Sequence, residues 1–253
     1  MRIRAIYEYT LIECNKLKAP AILLEDFVYL FNKAIQQYVN SVYNRCEYNQ
    51  QSSDDLGWLQ TVSEIDELEP IDTFDGYVYR ATLPEDYLHM LGCKAEISGS
   101  SSSNRCNTSV TRSNIVQCTR LTADLNSGVT NNYYLKPSYK KPYYYVVDRV
   151  MNNDDTPDND ENSHSQSIEI HLGDSYNWEV KRLQISYIRT PKSVDLSYDE
   201  VNSIGDDISK EMEFPDYVAY EIINVYTRLL LENASDPRLQ THLPINQTIA
   251  VPN

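Results

Sequence analysis

Four histidines, five cysteines and one dense run of carboxylates are the residues of this chain best suited to chemistry. His89, His164, His171 and His242 lie in four unlike segments. None stands in an H-E-x-x-H pair or beside a nucleophile motif, so the pattern supplies neither a zinc ligand set nor a placed general base. Cys14, Cys46, Cys93, Cys106 and Cys118 are odd in number and contain no C-x-x-C. They read as reduced thiols, two of them (Cys14, Cys46) on helical apolar faces, and not as a zinc site or a disulfide framework. Asp154 to Glu161 brings five acids and no base. An EF-hand loop starting at Asp154 needs Gly sixth and Glu twelfth; the chain has Asn159 and Ser165, so the run reads as a solvated loop. Lys140-Lys141-Pro142-Tyr143-Tyr144-Tyr145 is a basic–aromatic patch in miniature. It stands in a chain of 22 basic and 37 acidic residues, net charge −15, which disfavours a grip on phosphates because nucleic-acid affinity rests on Lys and Arg. The patch reads as a sheet strand at an interface. Seven glycines leave little room for Gly-rich phosphate loops. No catalytic residue, metal site or cofactor is expected.

The elements that would position these residues fall into three stretches. Ile3, Tyr7, Thr10, Cys14 and Leu17 share a stripe at helical spacing over 3–17. Leu24, Phe27, Val28, Phe31, Ile35, Tyr38, Val39, Val42 and Cys46 trace a broad apolar helix face over 22–48, with Glu25 and Asp26 against its positive end. A short helix is expected at 53–61, behind a Ser53 cap. Residues 62–75 read as acidic and irregular, 77–81 as a short strand. Leu83-Pro84-Glu85-Asp86-Tyr87 has Pro first and acids next, the pattern of a short helix closed by Gly92. From 93 to 198 the period switches to two. Strands are expected at 114–121 and 143–150, and a hairpin from 167–172 and 178–189 around the turn-forming run 173–177. A bulge near Lys181-Arg182 would reconcile Trp178 and Val180 with the phase of Leu183, Ile185 and Tyr187. Residues 195–212 read as acidic and connective. Val218, Ile222, Val225 and Leu229 line a final helix over 216–233.

This pattern predicts an α+β fold: a helical bundle built from both chain ends, an inserted antiparallel β-rich module and an extended C-terminal tail. The expected boundaries are 1–92 and 205–240 for the helical core, 93–204 for the β module and 241–253 for the tail. Leu243, Ile245, Ile249 and Val251 sit at strand spacing in that tail, which makes them candidate partner-binding residues by strand addition. No stretch approaches the ~18–20 apolar residues of a membrane span, and MRIRAIYEYT lacks the apolar core of a signal peptide. The 21 tyrosines suit half-buried surfaces and interfaces, since Tyr joins apolar area to a polar tip.

Four stretches in order resemble the head-to-tail connector (adaptor, or ring) proteins of tailed bacteriophages, closest to the neck ring proteins of crAss-like phages. They are Asp26-Phe27-Val28-Tyr29-Leu30-Phe31-Asn32-Lys33-Ala34, then Leu83-Pro84-Glu85-Asp86-Tyr87-Leu88-His89, then Tyr187-Ile188-Arg189-Thr190-Pro191, and last Phe214-Pro215-Asp216-Tyr217 with the helix that follows and Asp236-Pro237-Arg238-Leu239-Gln240-Thr241 beyond it. The β-rich middle exceeds the small helical adaptors. The resemblance implies a non-enzymatic virion protein: a ring, usually twelvefold, docked under the portal protein, next to other neck and tail rings, with DNA passing through its lumen. It places the protein in the virion neck after assembly in the bacterial cytoplasm. An acidic lumen would let DNA slide by repelling phosphates, over ~8 Å at physiological salt. Two other readings stay open: a carbohydrate- or receptor-binding virion module using the central aromatics, and a hydrolase using two acids brought together in space.

Overall fold

A computed structural model describes residues 1–13, 22–46, 50–73, 76–101, 110–122, 128–129, 132, 134–151, 163–173, 178–202 and 210–233. Among them are five helices, α1 (Ile3–Glu13), α2 (Leu24–Cys46), α3 (Gln50–Leu56), α4 (Tyr198–Asn202) and α5 (Asp216–Asn233). Eight strands accompany them: β1 (Gln60–Ile65), β2 (Glu69–Thr73), β3 (Gly76–Thr82), β4 (Tyr87–Ser101), β5 (Val110–Arg120), β6 (Tyr143–Met151), β7 (Ser163–His171) and β8 (Trp178–Arg189). The chain divides into two compact units, Met1–Leu59 with Pro191–Asn253, and Gln60–Thr190.

The sheet unit forms a single curled sheet in the order β1-β8-β4-β5-β6-β7-β3-β2, half a barrel in form. This sheet dominates the molecule and overturns the expected fold class. The protein is mixed α and β, and not a helical bundle built from both chain ends carrying a β insert. The physical reason lies in residues 60–92, which the sequence reading assigned to the helical core. Gln60 and Thr61 fall in the short helix expected at 53–61, which ends at Leu56, and residues 62–65 and 69–73 fall in the stretch read as irregular. The reason is that β1 and β2 form the two outermost strands. Edge strands need no continuous apolar face and tolerate charges and proline, here Glu64 and Pro70. The expected helix at Leu83 is also absent. Pro84, Glu85 and Asp86 form a turn closed by Tyr87 N–H donating to the Pro84 carbonyl at 3.0 Å, and β4 starts at once.

Pairing is antiparallel except at one place. β5 meets β6 in parallel through Thr119↔Tyr143 and Arg120↔Tyr144 alone. This two-rung seam joins β1, β8, β4 and β5 to β6, β7, β3 and β2. The expected hairpin of 167–172 with 178–189 does not form: β7 pairs with β6 and β3, and β8 with β1 and β4. Gly173, the first residue of the expected turn, has φ +64°, and residues 174–177 lie outside the described residues. Turn chemistry does not say which strand edges are already filled. A bulge does occur at Lys181: Glu96 opposes Arg182, and the next rung is Ile97 with Val180. It restores one phase to Val180, Leu183, Ile185 and Tyr187, all buried. These residues meet Ala95, Ile97, Ile168 and Ile170 in the core inside the curl.

In the helical unit, α2 buries Phe27, Phe31, Ala34, Ile35, Tyr38, Val39 and Val42. Its acids Glu25 and Asp26 oppose the positive helix end. Phe27 stacks along Phe31 at 5.3 Å, and Tyr226 of α5 meets both edge-on at 5.4 and 5.8 Å. Tyr7 of α1 closes on Phe27 at 5.0 Å. Edge-to-face pairs of this kind add ~0.5–1.5 kcal/mol beyond their area.

Candidate functional site

The outer faces of the helical unit carry large aromatic side chains in solvent. Tyr29 is 68% exposed, Trp58 60%, Tyr198 57%, Tyr217 and Tyr220 51% each. Tyr9 of α1 and Tyr220 of α5 lie 6.3 Å apart, ring to ring. α2 explains the pattern: one stripe feeds the Phe27–Phe31 core, so Tyr29 and Lys33 of the opposite stripe must face outward.

Tyr29 and Lys33 separate two grooves. One, of about 880 Å³, is lined by Leu24, Val28, Asn32 and Gln36 and by the segment Asp195–Tyr198. The other, of about 570 Å³, lies between α2 and the end of α5 and includes Asp26, Leu229 and Glu232. Asn32 builds the first groove. Its amide donates to the Val194 carbonyl and its carbonyl accepts the Val194 N–H, both at 2.8 Å, as a neighbouring strand would. Ser197 then starts α4 with a capping box. Glu200 N–H donates to Ser197 Oγ at 3.3 Å, and Ser197 N–H donates to Glu200 Oε2 at 2.9 Å. The signal Ser197-x-x-Glu200 was present in a stretch read as connective, and the Asn32 clamp left no trace in local pattern.

At the far end of α2, Tyr38, Asp55, Tyr217 and Glu221 gather. Burial pushes the Asp55 carboxyl up, against the lowering effect of a hydrogen bond from Tyr217. Burial, then the nearby Glu221 charge, pushes the Tyr38 hydroxyl up.

The sheet unit holds its own polar cluster. Glu169 of β7 stands directly opposite Arg80 of β3 on one side and Tyr145 of β6 on the other. Arg80 pairs with Glu169 Oε1 through both Nε, at 2.8 Å, and Nη2. Burial alone would raise the Glu169 carboxyl. Hydrogen bonds from Tyr145 and Arg80, with the Arg80 charge, outweigh it and hold the group below the usual carboxylate range. His171 lies against Tyr145 with the ring centroids 4.7 Å apart and the planes tilted by 30°. The cluster is a buried ion pair within a strand layer.

Two stretches of the phage-connector resemblance meet in this unit. Asp86 accepts a hydrogen bond from Tyr187 Oη at 2.9 Å, and its carbonyl accepts the Thr190 N–H at 2.7 Å. Burial, followed by this bond, pushes the Tyr187 hydroxyl up to about 12. Asp86 thus ties the start of β4 to the end of β8.

Leu243, Ile245, Ile249 and Val251, the candidate partner-binding residues, lie outside the described residues, as do His242 and the Asp154–Glu161 run. His89 is on β4, half-buried, its pKa lowered by burial and then by Arg120. Lys140 and Lys141 lie over the rings of Tyr139 and Tyr143, at 5.6 and 5.4 Å. Tyr143 and Tyr144 are buried, so the basic–aromatic patch is mostly sheet interior. Among the described residues no group of three or more His, Cys, Asp or Glu is arranged to hold a metal ion, and no helix is long and apolar enough to cross a membrane. No protein family matches the chain's sequence, and no curated protein matches it.

Proposed function

We propose that the protein is a structural component of a tailed-phage neck, a ring subunit that joins the portal to the tail and lets DNA pass through its lumen. The observation that carries the reading is the exposed aromatic rim of the helical unit: Tyr9, Tyr29, Tyr198, Tyr217, Tyr220 and Trp58, with two grooves beside Tyr29. Large exposed aromatics cost solubility unless a partner covers them, and Tyr and Trp are enriched where proteins meet. A closed ring sets one patch on a different patch of the next copy, which suits a subunit with protruding rings and receiving grooves. The net charge of −15 suits a wall past which DNA slides. The four sequence stretches that resemble those of phage connectors are what points to this assembly rather than another.

Native mass spectrometry of the purified chain, alone and with the portal protein of its own phage, tests the reading. The expected result is a high-order ring in the presence of portal. In the Tyr29→Ser and Tyr220→Ser variants, checked to be folded by circular dichroism, ring formation falls by about tenfold or more if each ring anchors a contact. A chain that remains monomeric and does not co-purify with portal overturns the proposal.

A further inference from the structure

We propose that Cys93 and Cys118 form an oxidisable dithiol that closes into a cross-strand disulfide between β4 and β5. The two residues are direct register partners of an antiparallel ladder. Opposed positions in such a ladder have Cα atoms ~4.5 or ~5.5 Å apart, and both spacings fall inside the ~4.4–6.8 Å that a disulfide spans. Both side chains point into the core within the curl, with 2% and 5% of their surface exposed. The two sulfurs are close enough to share a hydrogen bond. Closure therefore asks for no movement of the backbone. The proposal stands on this geometry and is independent of any assembly the chain enters.

The surroundings decide how the pair reacts. That hydrogen bond, and then burial, push the Cys93 thiol up, so it stays protonated at neutral pH. Cys118 is the better point of entry because it lies on β5. Beyond the Thr119 and Arg120 rungs, β5 has no further pairing with β6 among the described residues. Its Asn114, Ile115 and Gln117 face solvent, Ile115 with 73% exposure. Local opening of this edge admits a small uncharged oxidant such as hydrogen peroxide. The Cys118 thiolate attacks one peroxide oxygen, the O–O bond breaks, and the departing hydroxide takes a proton to leave as water. The Cys93 sulfur then attacks the Cys118 sulfenic sulfur as its thiol proton passes to the departing hydroxide, the S–O bond breaks, and a second water leaves. Two thiols lose two electrons and two protons; one peroxide becomes two waters. The new bond lies next to the two-rung seam and anchors β5 where it bridges both halves of the sheet.

The bland alternative is that both thiols are small core hydrophobes that never react. The full-length native protein, treated with hydrogen peroxide, blocked with iodoacetamide under denaturing conditions and mapped by tryptic mass spectrometry, separates the two. The expected product links the peptide ending at Lys94 to the peptide ending at Arg120. It forms about tenfold or more slowly in the folded chain than a free peptide thiol oxidises, since reaction waits on opening. Oxidised protein melts about 5–10 °C higher than reduced protein, and dithiothreitol reverses the rise. In Cys93→Ser the Cys118 sulfenic acid persists and is trapped by dimedone; if that variant does not fold, the wild-type map decides alone. Cys93 and Cys118 both left reduced while other cysteines oxidise, or either one linked to another cysteine, overturns the proposal.

Discussion

Asp55 and Glu169 are both buried carboxylates, and their surroundings push them in opposite directions. Glu169 has a folded pKa below its unfolded value. Its contribution is present above the ordinary Glu range and is lost as pH falls through the lowered value. Asp55 has a folded pKa above its ordinary value of 3.8. Its carboxyl favours the fold while protonated, and that contribution is lost as pH rises through the raised value. Acidification from neutral pH should therefore weaken the sheet unit while relieving a cost in the helical unit. Amide hydrogen exchange followed separately on β7 and α3 peptides checks this, and parallel slopes in both would contradict it. Glu169→Gln should be severe at neutral pH, about 3–5 kcal/mol, because it strands the Arg80 charge in the strand layer; urea denaturation reads the loss. Asn32→Ala removes two hydrogen bonds to Val194 and should lose about 1–3 kcal/mol. The same variant should free the Asp195–Tyr198 wall of the larger groove, seen as faster exchange there with α2 protection largely kept.

Short signals decided which elements were legible. The α2 and α5 stripes were readable because each buries one continuous face against aromatic partners, so period and burial coincide. The bulge was readable because Val180 and Leu183 cannot share a face at strand period without an extra residue between them. β1 and β2 were not readable. Their outer position removes the demand for alternation, and Glu64 and Pro70 cost them little. Leu83–Tyr87 misled for a different reason: Pro followed by acids begins a helix or a tight turn equally well, and Asp86 is claimed by Tyr187 and Thr190, far away in sequence. The candidate interaction surface was legible as an excess of tyrosine, not as positions. Which tyrosines emerge depends on which stripe each helix buries. Two element-scale outcomes follow. Deleting Lys181 removes the extra residue of the bulge and leaves Val180 at regular strand spacing from Leu183, so Trp178 to Val180 keep their faces and the sheet unit should keep its cooperative melt in differential scanning calorimetry. Ser197→Ala should cost about 1 kcal/mol through loss of the α4 cap, with the melting curve otherwise unchanged.

At the scale of the molecule, most of the chain between the two terminal stretches serves one sheet. Its strands are joined in an order quite unlike their order in the sequence. The first strand pairs with the last, β1 with β8, and β3 pairs with β7 across most of the unit's length. During synthesis β1 emerges long before the segment that will cover its inner edge, so the ribosome delivers open edges well ahead of their partners. Folding of this unit must wait for residues up to Arg189, and long-range pairings of this kind are slow to form and exposed to aggregation meanwhile. The five charged or proline-bearing positions at the rims, Glu64, Asp66, Glu67, Glu69 and Pro70, then have a role before the native state exists: they keep nascent chains from zipping onto one another while the last strand is still being made.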